Sequence, residues 1–323
     1  MNTRRIGRDI PSISQLRQAS MNARQRDDRR GDRQGGHVGP RTAFVLSGGG
    51  NQAVSQVGML RALLEREIVP DVIVGTSAGA WNGSVLAHDP TLAAVDRLEA
   101  LWDKLRGDLI FPGGMFTRAW NILTRDDHLF SDDGLRAVID LGGTPDTFAE
   151  LAVPLRVVAA DLHTGEEVVF ACGKLRPALL ATAALPGIFP PVQFDGRTLV
   201  DGAVVDTVPL IHALSGPVDR IYVLNVSSEL MHRSARSPLD VLVKAFAISR
   251  KQRFDLEMRN VPERIEVVVL PAPRDDRELV DFSNGDTYIS TAYDLAVQAL
   301  DAEEEAIRRR TTLRRSWWRR TSA

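Results

Sequence analysis

Residues 72–79 read Val-Ile-Val-Gly-Thr-Ser-Ala-Gly, and this segment is the strongest indication of the fold. It opens with an apolar run typical of a buried strand, and a helical pattern over 80–87 follows it. Between them lies a G-x-S-x-G motif centred on Ser77, in the context that places a nucleophilic serine on a sharp turn. Gly75 and Gly79 leave room for the turn because they carry no Cβ atom. We therefore predict that Ser77 is a nucleophile; the alternative is a plain glycine-rich turn.

A glycine-rich loop lies upstream of this turn, also between an apolar strand and a helical pattern. Residues 47–53 read Ser-Gly-Gly-Gly-Asn-Gln-Ala. The glycines Gly48, Gly49 and Gly50 free backbone N–H groups to converge on an anion, either a phosphate or the oxyanion of an acyl-transfer intermediate. The loop also matches a dinucleotide-binding pattern, with Asp71 near the spacing of a ribose-binding acid. Asp71 comes before its strand, however, and a ribose-binding acid comes after it, which disfavours a nucleotide.

An aspartate follows a later short strand, at Asp201-Gly202. A serine hydroxyl needs a base, and no histidine lies close in sequence to any of these motifs. A partly desolvated Asp201 serves as that base if it lies within hydrogen-bond reach of Ser77. An Asp-Gly pair otherwise forms a turn, as we predict for Asp195-Gly196 between two hairpin strands. Asp201-Gly202 has no strand after it to pair with, so we predict Asp201 as the base and Gly202 as a flexible residue beside it.

Short apolar runs alternate with helical patterns from Thr42 onward. The runs are continuous, as expected of strands that helices cover on both faces. They lie at 44–46, 72–74, 157–159, 222–224 and 267–269. Shorter strands are predicted at 166–170, 192–194 and 198–200, and long helices over about 238–258 and from about Asp286. We predict a three-layer α/β/α fold with a largely parallel central sheet.

Together these motifs resemble the patatin-like phospholipases, over roughly residues 43–215. The resemblance is carried by the glycine-rich loop, the motif at Ser77, the segment ATAALPGIFPP at 181–191, and Asp201-Gly202-Ala203. It implies a Ser77/Asp201 catalytic dyad, an oxyanion hole formed by the amides of Gly48–Gly50, and acyl esters of lipids as substrates. It also implies hydrolysis of the phospholipase A or lysophospholipase type, with no metal and no cofactor.

The loop departs from the family's pattern at two positions. That pattern continues with a basic residue and a glycine, where this chain has Gln52 and Ala53. The missing charge predicts a weaker field on an anionic intermediate. Because the amides of Gly49 and Gly50 remain, we expect activity to survive; the alternative is a catalytically weak patatin-fold protein that binds a lipid or a partner.

A Ser-Asp-His triad is a second hydrolase hypothesis. In the chain order of the α/β-hydrolase fold, His212 or His232 follows Asp201 or Asp206 and acts as the base. Against this hypothesis, Ser77 follows only the second predicted strand, whereas that fold places its nucleophile after several strands.

Aromatic residues are concentrated after the serine motif, around a Pro-Gly-Gly sequence. They are Trp102, Phe111, Phe116, Trp120 and Phe130. Their density predicts core packing, and the alternative is a lid that is hinged at the glycines over an acyl-chain groove.

The composition is that of a globular protein, with 323 residues of which 44% are hydrophobic and 25% charged. There is no run of about 18 apolar residues, and the first thirty residues lack the apolar core of a secretory signal, so we predict a cytosolic protein. The single Cys172 and six scattered histidines predict no intramolecular disulfide and no structural zinc site.

Basic segments lie at both ends of an otherwise acidic chain. Residues 1–41 carry ten Arg and four Asp, and their shortage of large apolar residues predicts a disordered arm. Residues 308–320 carry seven Arg around Trp317 and Trp318. This composition favours peripheral contact with an anionic membrane or docking on the acidic body, and it disfavours nucleic acid. We divide the chain into an arm (1–41), a patatin-like catalytic core (42–215), strands and helices that complete the same domain (216–307) and an Arg/Trp-rich tail (308–323).

Overall fold

An eight-stranded sheet organises the part of the chain that the computed structural model describes, namely residues 41–105, 107–110, 128, 130–227, 238–274, 277 and 281–321. The strands are β1 (Thr42–Leu46), β2 (Val72–Thr76), β3 (Leu155–Asp161), β4 (Glu167–Phe170), β5 (Val192–Phe194), β6 (Arg197–Asp201), β7 (Arg220–Leu224) and β8 (Glu266–Leu270). The α-helices are α1 (Ser55–Leu64), α2 (Ala78–His88), α3 (Leu92–Lys104), α4 (Gly107–Ile110), α5 (Asp133–Leu141), α6 (Leu175–Ala183), α7 (Leu210–Ala213), α8 (Pro238–Arg259) and α9 (Gly285–Thr321). Short 3₁₀ turns span Gly50–Val54, Phe148–Glu150 and Gly202–Val204. The predicted arm up to residue 40, together with Phe111, Phe116, Trp120 and His232, lies outside the described residues.

The strand order is β5-β6-β3-β2-β1-β7-β8, and β4 also pairs with β3. The five strands from β3 to β8 in this order are parallel, whereas the pairs that involve β4, β5 or β6 are antiparallel. Since β1 and β2 are parallel neighbours, the glycine-rich loop after β1 and the serine motif after β2 emerge at the same edge of the sheet.

Both faces of the sheet are covered, as the continuous apolar runs predict. In β1, Phe44 and Leu46 belong to the larger buried cluster, whereas Ala43 and Val45 belong to a second cluster on the opposite face. Successive side chains of a strand point to opposite faces, so a run of four buried apolar residues requires a layer on each side. The α/β/α fold class and the largely parallel sheet are confirmed.

The C-terminal helix α9 forms part of the layer over α1. Its apolar residues Ile289, Ala296 and Leu300 are buried. A Cβ atom on Gly58 of α1 would lie 2.1 Å from the carbonyl oxygen of Ile289, so only glycine allows the two helices to approach this closely. A segment outside the span of the resemblance therefore helps to bury the helix that follows the glycine-rich loop.

The hairpin between β5 and β6 turns at Asp195-Gly196, as predicted. Both residues have positive φ, 47° and 75°, which is the backbone pattern of a two-residue hairpin turn whose twist matches its strands. In the described part of the chain, no helix combines the length and the apolar content that crossing a membrane requires.

Candidate active site

Ser77 lies at the sharp turn between β2 and α2. Its backbone has φ 54° and ψ −130°, a conformation that few non-glycine residues adopt and that the surrounding structure must hold in place. The helix begins at the next residue, so its N-terminal amides and positive dipole end face the turn. A Cβ atom on Gly79 would lie 2.4 Å from the carbonyl oxygen of Ser47, so the motif's second glycine allows the turn to pack against the chain leaving β1.

Thr182 holds the turn from the side of α6. The amide of Ser77 donates a hydrogen bond of 2.8 Å to Thr182 Oγ1, and the buried threonine hydroxyl in turn donates to the carbonyl oxygen of Val158 in β3. The sequence alone gave no role to Thr182, because the segment at 181–191 was recognised only through the family resemblance. The role of this one hydroxyl in an apolar segment is visible only once the fold places Thr182 beside the amide of Ser77.

Strand register brings Asp201 to the height of Ser77. Thr76 pairs with Val158 in β3, and the next residue of β3, Ala159, pairs with Asp201 at the end of β6. Two residues distant in sequence thereby meet across one intervening strand. The hydroxyl of Ser77 donates a hydrogen bond of 2.6 Å to Asp201 Oδ2.

The second oxygen of the Asp201 carboxylate is fixed by the chain that follows it. Oδ1 accepts a hydrogen bond of 2.8 Å from the amide of Ala203, and the Asp201 amide donates to the carbonyl oxygen of Ala184. A Cβ atom on Gly202 would lie 2.2 Å from the carbonyl oxygen of Val158, so glycine is required where this turn crosses β3. The carboxylate is therefore held by two donors in one orientation.

Burial sets the proton affinity of this carboxylate. Asp201 is 2% exposed, and desolvation raises the pKa of its carboxyl from 3.8 to about 6, against the opposing effects of the Ser77 hydroxyl, the Ala203 amide and the positive charge of Arg250. A base of this strength is ionised at neutral pH and accepts a proton more readily than an exposed carboxylate does.

The three glycines of the loop are not equivalent. The amide of Gly48 donates to the carbonyl oxygen of Thr207 at 2.9 Å, so it is engaged, and the expectation that it joins the oxyanion hole needs correction. A Cβ atom on Gly48 would lie 3.3 Å from Ser77 Cβ, so the loop runs directly beside the serine. Among the described residues, no hydrogen-bond acceptor faces the amides of Gly49 and Gly50, and these two remain the candidate oxyanion donors.

A buried polar network supports the loop from beneath. Gln56 Nε2 donates to the carbonyl oxygens of Ser47 and Leu224, and its Oε1 accepts from Asn82 Nδ2. Asn82 Oδ1 accepts from the indole N–H of Trp102 at 2.9 Å. Trp102 is buried, as the packing interpretation of the aromatic residues predicts, and its ring N–H extends that network. Positions 111–127, where a lid was the alternative, lie outside the described residues.

Gln52, at the position where the family has a basic residue, is buried. Its side chain is 4% exposed, and its Oε1 has no hydrogen-bond partner in the described part of the chain. The glycine-rich loop therefore supplies backbone amides to the site but no positive charge.

A second group of charged residues lies beyond Asp201 on the same loop. Asp206 Oδ2 lies 3.6 Å from His212 Nε2 and 3.5 Å from a guanidinium nitrogen of Arg253. His212 Nε2 also contacts Glu167 Oε2 at 2.9 Å, and Arg253 contacts Glu167 as well. The triad hypothesis placed His212 beside Ser77; the contacts of its ring nitrogen are instead with Glu167 and Asp206. We call Glu167, Asp206, His212 and Arg253, with Glu257 bound to Arg253, the Asp206 cluster.

The Asp206 cluster also brings together ligand atoms that a metal ion could use. One atom each from Glu167, Asp206 and His212 lies within 4.8 Å of the others. The guanidinium of Arg253 already contacts both carboxylates, so the cluster contains its own cation. The sequence singles out Asp206 and His212 only as candidates for a triad and does not show the group as a whole, because its members are spread over about ninety residues and share no motif.

The fold and the site define the chain as a three-layer α/β/α protein with a serine at a strand-to-helix turn, hydrogen-bonded to a buried aspartate at the end of a neighbouring antiparallel strand. Within that class, the family model described as patatin-like phospholipase matches residues 44–214, which is more than half of the chain. The chain belongs to the patatin-like phospholipase family.

Several curated proteins are similar to this chain. An uncharacterized NTE family protein of Mycobacterium tuberculosis is 31% identical over 175 residues, which cover 54% of this chain and 46% of that protein. Lysophospholipase NTE1 of Phaeosphaeria nodorum is 25% identical over 198 residues, which cover 59% of this chain and 12% of that protein. The match thus spans less than half the length of these relatives.

Among solved structures, VipD from Legionella pneumophila aligns with a TM-score of 0.45 and 16% identity, over 81% of this chain and 67% of that chain. Human GIVD cytosolic phospholipase A2, in complex with methyl gamma-linolenyl fluorophosphonate, aligns with a TM-score of 0.45 and 15% identity, over 83% and 58%.

Proposed function

We propose that this protein is a serine acyl hydrolase that cleaves acyl esters of lipids, with Ser77 as nucleophile and Asp201 as general base. The observation that carries the proposal is the 2.6 Å hydrogen bond from the Ser77 hydroxyl to Asp201 Oδ2, made by a carboxylate that is buried and held by a second donor. A hydroxyl in direct contact with a base of raised proton affinity is the arrangement that nucleophilic catalysis needs.

The geometry supports a two-step reaction. Ser77 Oγ attacks the acyl carbonyl carbon while its proton passes to Asp201 Oδ2, and the carbonyl oxygen takes up the negative charge. The amides of Gly49 and Gly50 donate to that oxyanion. When the intermediate collapses, the ester C–O bond breaks and the leaving alcohol takes the proton from Asp201.

The second step restores the enzyme. A water molecule gives a proton to Asp201 and adds to the acyl carbon of the acyl-serine, again with the oxyanion at the two amides. Collapse breaks the bond to Ser77 Oγ, releases the fatty acid, and returns the proton from Asp201 to the serine. One carboxylate thus serves as base and acid in turn, and the scheme uses no histidine.

Lipid esters are the proposed substrate class because the chain belongs to a family described by phospholipase activity. One relative is named a lysophospholipase, which supports hydrolysis of the phospholipase A or lysophospholipase type. We further propose that the protein acts at a lipid surface, with the Arg- and Trp-rich end of α9 in peripheral contact. If so, deleting 308–323 lowers binding to anionic vesicles in a salt-dependent manner, and equal binding by both forms at low salt contradicts the contact.

Labelling by a serine-reactive fluorophosphonate tests the proposed function, since only an activated serine reacts. The native protein should label and should hydrolyse a short-chain ester, and Ser77→Ala should lose both activities while its circular dichroism stays unchanged. Because catalysis then lacks its covalent route, the rate should fall by roughly 10⁴-fold or more.

His212→Gln is the matched control, since this residue belongs to the Asp206 cluster. It should label at close to the native rate. Loss of labelling in His212→Gln with an unchanged melting temperature would favour the triad, and absence of labelling in the native protein would favour a catalytically weak lipid binder.

A further inference from the structure

A cavity of about 320 Å³ opens at the carboxyl ends of β7 and β8, under helix α8. Apolar side chains, among them Val208, Phe254 and Val269, form much of its wall. Its polar lining consists of Asn225, Ser227, Arg250, Lys251 and Asp255. Cavities with apolar walls and a few convergent polar groups are the usual form of small-molecule sites.

The cavity adjoins the candidate active site on two sides. Asn225 and Ser227 flank Val226, whose Cγ2 would lie only 2.6 Å from a Cβ atom on Gly49 of the oxyanion loop. From the other side, Arg250 lies close enough to Asp201 for its charge to lower the pKa of that carboxyl. The cavity therefore lies beside both the proposed oxyanion donors and the proposed base.

Arg250 is a cation without a bonded partner. Its Nε is buried and makes no hydrogen bond, and its guanidinium forms no ion pair with the residues that the structure describes. Its neighbour Lys251 differs, because its Nζ lies 2.5 Å from Asp255 Oδ2 and the two charges neutralise each other. Burial of a guanidinium is costly unless an anion satisfies its donors, and the Asp201 carboxylate acts on Arg250 only through its charge, so the N–H groups of Arg250 can donate to an anion in the cavity.

Asn225 adds a neutral donor to the same cavity. Its Oδ1 accepts hydrogen bonds from both the amide and the hydroxyl of Ser227, at 3.0 and 2.8 Å. These two contacts fix the side-chain amide so that Nδ2 is left to donate, and no acceptor for it is found among the described residues. An oriented amide donor and a guanidinium together are suited to an oxyanion with several acceptor oxygens.

We infer that this cavity binds the phosphate group of the substrate lipid, with Arg250 as its principal contact and Asn225 as its second donor. The inference rests on the proposed function and deepens it by naming the part of the substrate that is recognised. It assigns to α8 the positive charge that the glycine-rich loop lacks at Gln52.

Comparing two esters that differ only in the phosphate tests this inference. Wild type, Arg250→Gln and Arg97→Gln are each assayed on a short-chain lysophospholipid below its micelle concentration and on the monoacylglycerol with the same acyl chain. In Arg250→Gln the ratio of kcat/KM for the phosphate ester to that for the neutral ester should fall about 10- to 100-fold, the size of a lost charge-assisted hydrogen bond. Arg97→Gln, which removes a guanidinium that is paired with Asp89 outside the cavity lining, should keep the wild-type ratio.

Because Arg250 also acts on Asp201, a rate change shared by both esters is expected, and only the ratio is diagnostic. An equal loss on both esters, or a ratio that falls as far in Arg97→Gln, overturns the inference. Inhibition by inorganic phosphate tests whether the anion in the cavity is the phosphate group of the substrate or free phosphate. It should inhibit the wild type competitively and Arg250→Gln much less, whereas Arg250-dependent phosphate binding with an unchanged ester ratio would mean that the cavity holds free phosphate and not the substrate's.

The two proposals fail differently. If the wild type hydrolyses neither ester and does not label, the proposed function fails. Calorimetry then tests the cavity independently, by comparing the binding of inorganic phosphate to wild type and to Arg250→Gln. Equal binding heats for the two proteins overturn the inference that the cavity binds phosphate.

Discussion

Asp201 and Asp206 lie five residues apart on one loop, and both are buried, with 2% and 1% of the residue exposed. Their neighbours differ. Asp201 is bound by a hydroxyl and a backbone amide, whereas Asp206 lies among His212, Arg253 and the carboxylates of Glu167 and Glu257. Burial raises the pKa of Asp201 to about 6 and, with the added repulsion of Glu257, that of Asp206 to about 7.

Similar proton affinities thus arise in two environments with different chemical uses. A carboxylate whose neighbours are a reactive hydroxyl and a fixed donor can pass a proton to a substrate. A carboxylate that is surrounded by mutually compensating charges can hold helices and loops together, but it has no hydroxyl to activate. The pKa alone does not separate these roles, and the contacts do.

Exchanging each aspartate for asparagine gives the largest expected contrast. Asp201→Asn removes the proposed base while keeping its size, so ester hydrolysis should fall by roughly 10⁴-fold, close to the loss in Ser77→Ala. Asp206→Asn changes the charge of the Asp206 cluster only, and its rate should stay within about 10-fold of the wild type. Steady-state rates on one soluble ester measure both, and a loss in Asp206→Asn as large as that in Asp201→Asn would end the distinction.

A substitution at Gly49 tests the proposed oxyanion donors, which lie on the Asp201 side of this comparison. In Gly49→Ala the new methyl group would clash with Val226 Cγ2 and displace the amide, so turnover should fall about 10²- to 10³-fold. Val226→Ala in the same chain removes the clashing carbon and should recover most of the rate. If the double variant is no faster than Gly49→Ala, the steric explanation is wrong.

The pH dependence of fluorophosphonate labelling distinguishes the two carboxylates by their roles. Labelling requires Asp201 to be ionised, so its rate should level off above about pH 7 and fall roughly 50-fold between pH 6 and pH 4. Asp206→Asn should keep this inflection, which is the control. If the inflection disappears in Asp206→Asn while circular dichroism shows an intact fold, the titrating group is Asp206 and the role given to Asp201 is wrong.

The free energy of unfolding should differ least between variants of the two aspartate sites. The pKa of Asp201 is higher in the folded protein than in the unfolded chain, so the folded protein binds this proton more tightly. The free energy of unfolding therefore falls as the pH rises from about 4 to about 6 and Asp201 ionises. Asp201→Asn avoids this cost and should unfold at higher denaturant above pH 6, by up to about 3 kcal/mol, with no gain near pH 4.

Arg253→Gln should lower the free energy of unfolding, whereas Asp201→Asn should raise it. It leaves the carboxylates of the Asp206 cluster uncompensated, and should lower stability more at pH 8 than at pH 5, where Asp206 is protonated. Denaturant unfolding at the two pH values measures both variants, and a stabilised Arg253→Gln would contradict the structural role given to the cluster.

Much of the fold, and the choice of Ser77 and Asp201 as candidates, follow from local sequence patterns. Continuous apolar runs predict strands that are buried on both faces, and the turn at Asp195-Gly196 needs only its own two residues. The serine turn is also local, because strand, glycines and helix are adjacent in the chain. Two further residues of the site are far from Ser77 in the chain: Thr182 lies in the segment 181–191, where the resemblance gives it no role, and Arg250, whose charge acts on Asp201, lies on a separate helix that no motif marks.

The α/β/α class, the positions of the strands, and Ser77 and Asp201 as candidates follow from the sequence alone, because they depend on periodicity and on residues next to one another. The folded chain was needed to show that Asp201 lies level with Ser77, that the Gly48 amide is engaged and that His212 contacts Asp206. It was also needed to show that Arg250, which has no ion pair among the described residues, acts on Asp201. Strand register and helix packing set those distances, and both are fixed by contacts between residues far apart in the chain.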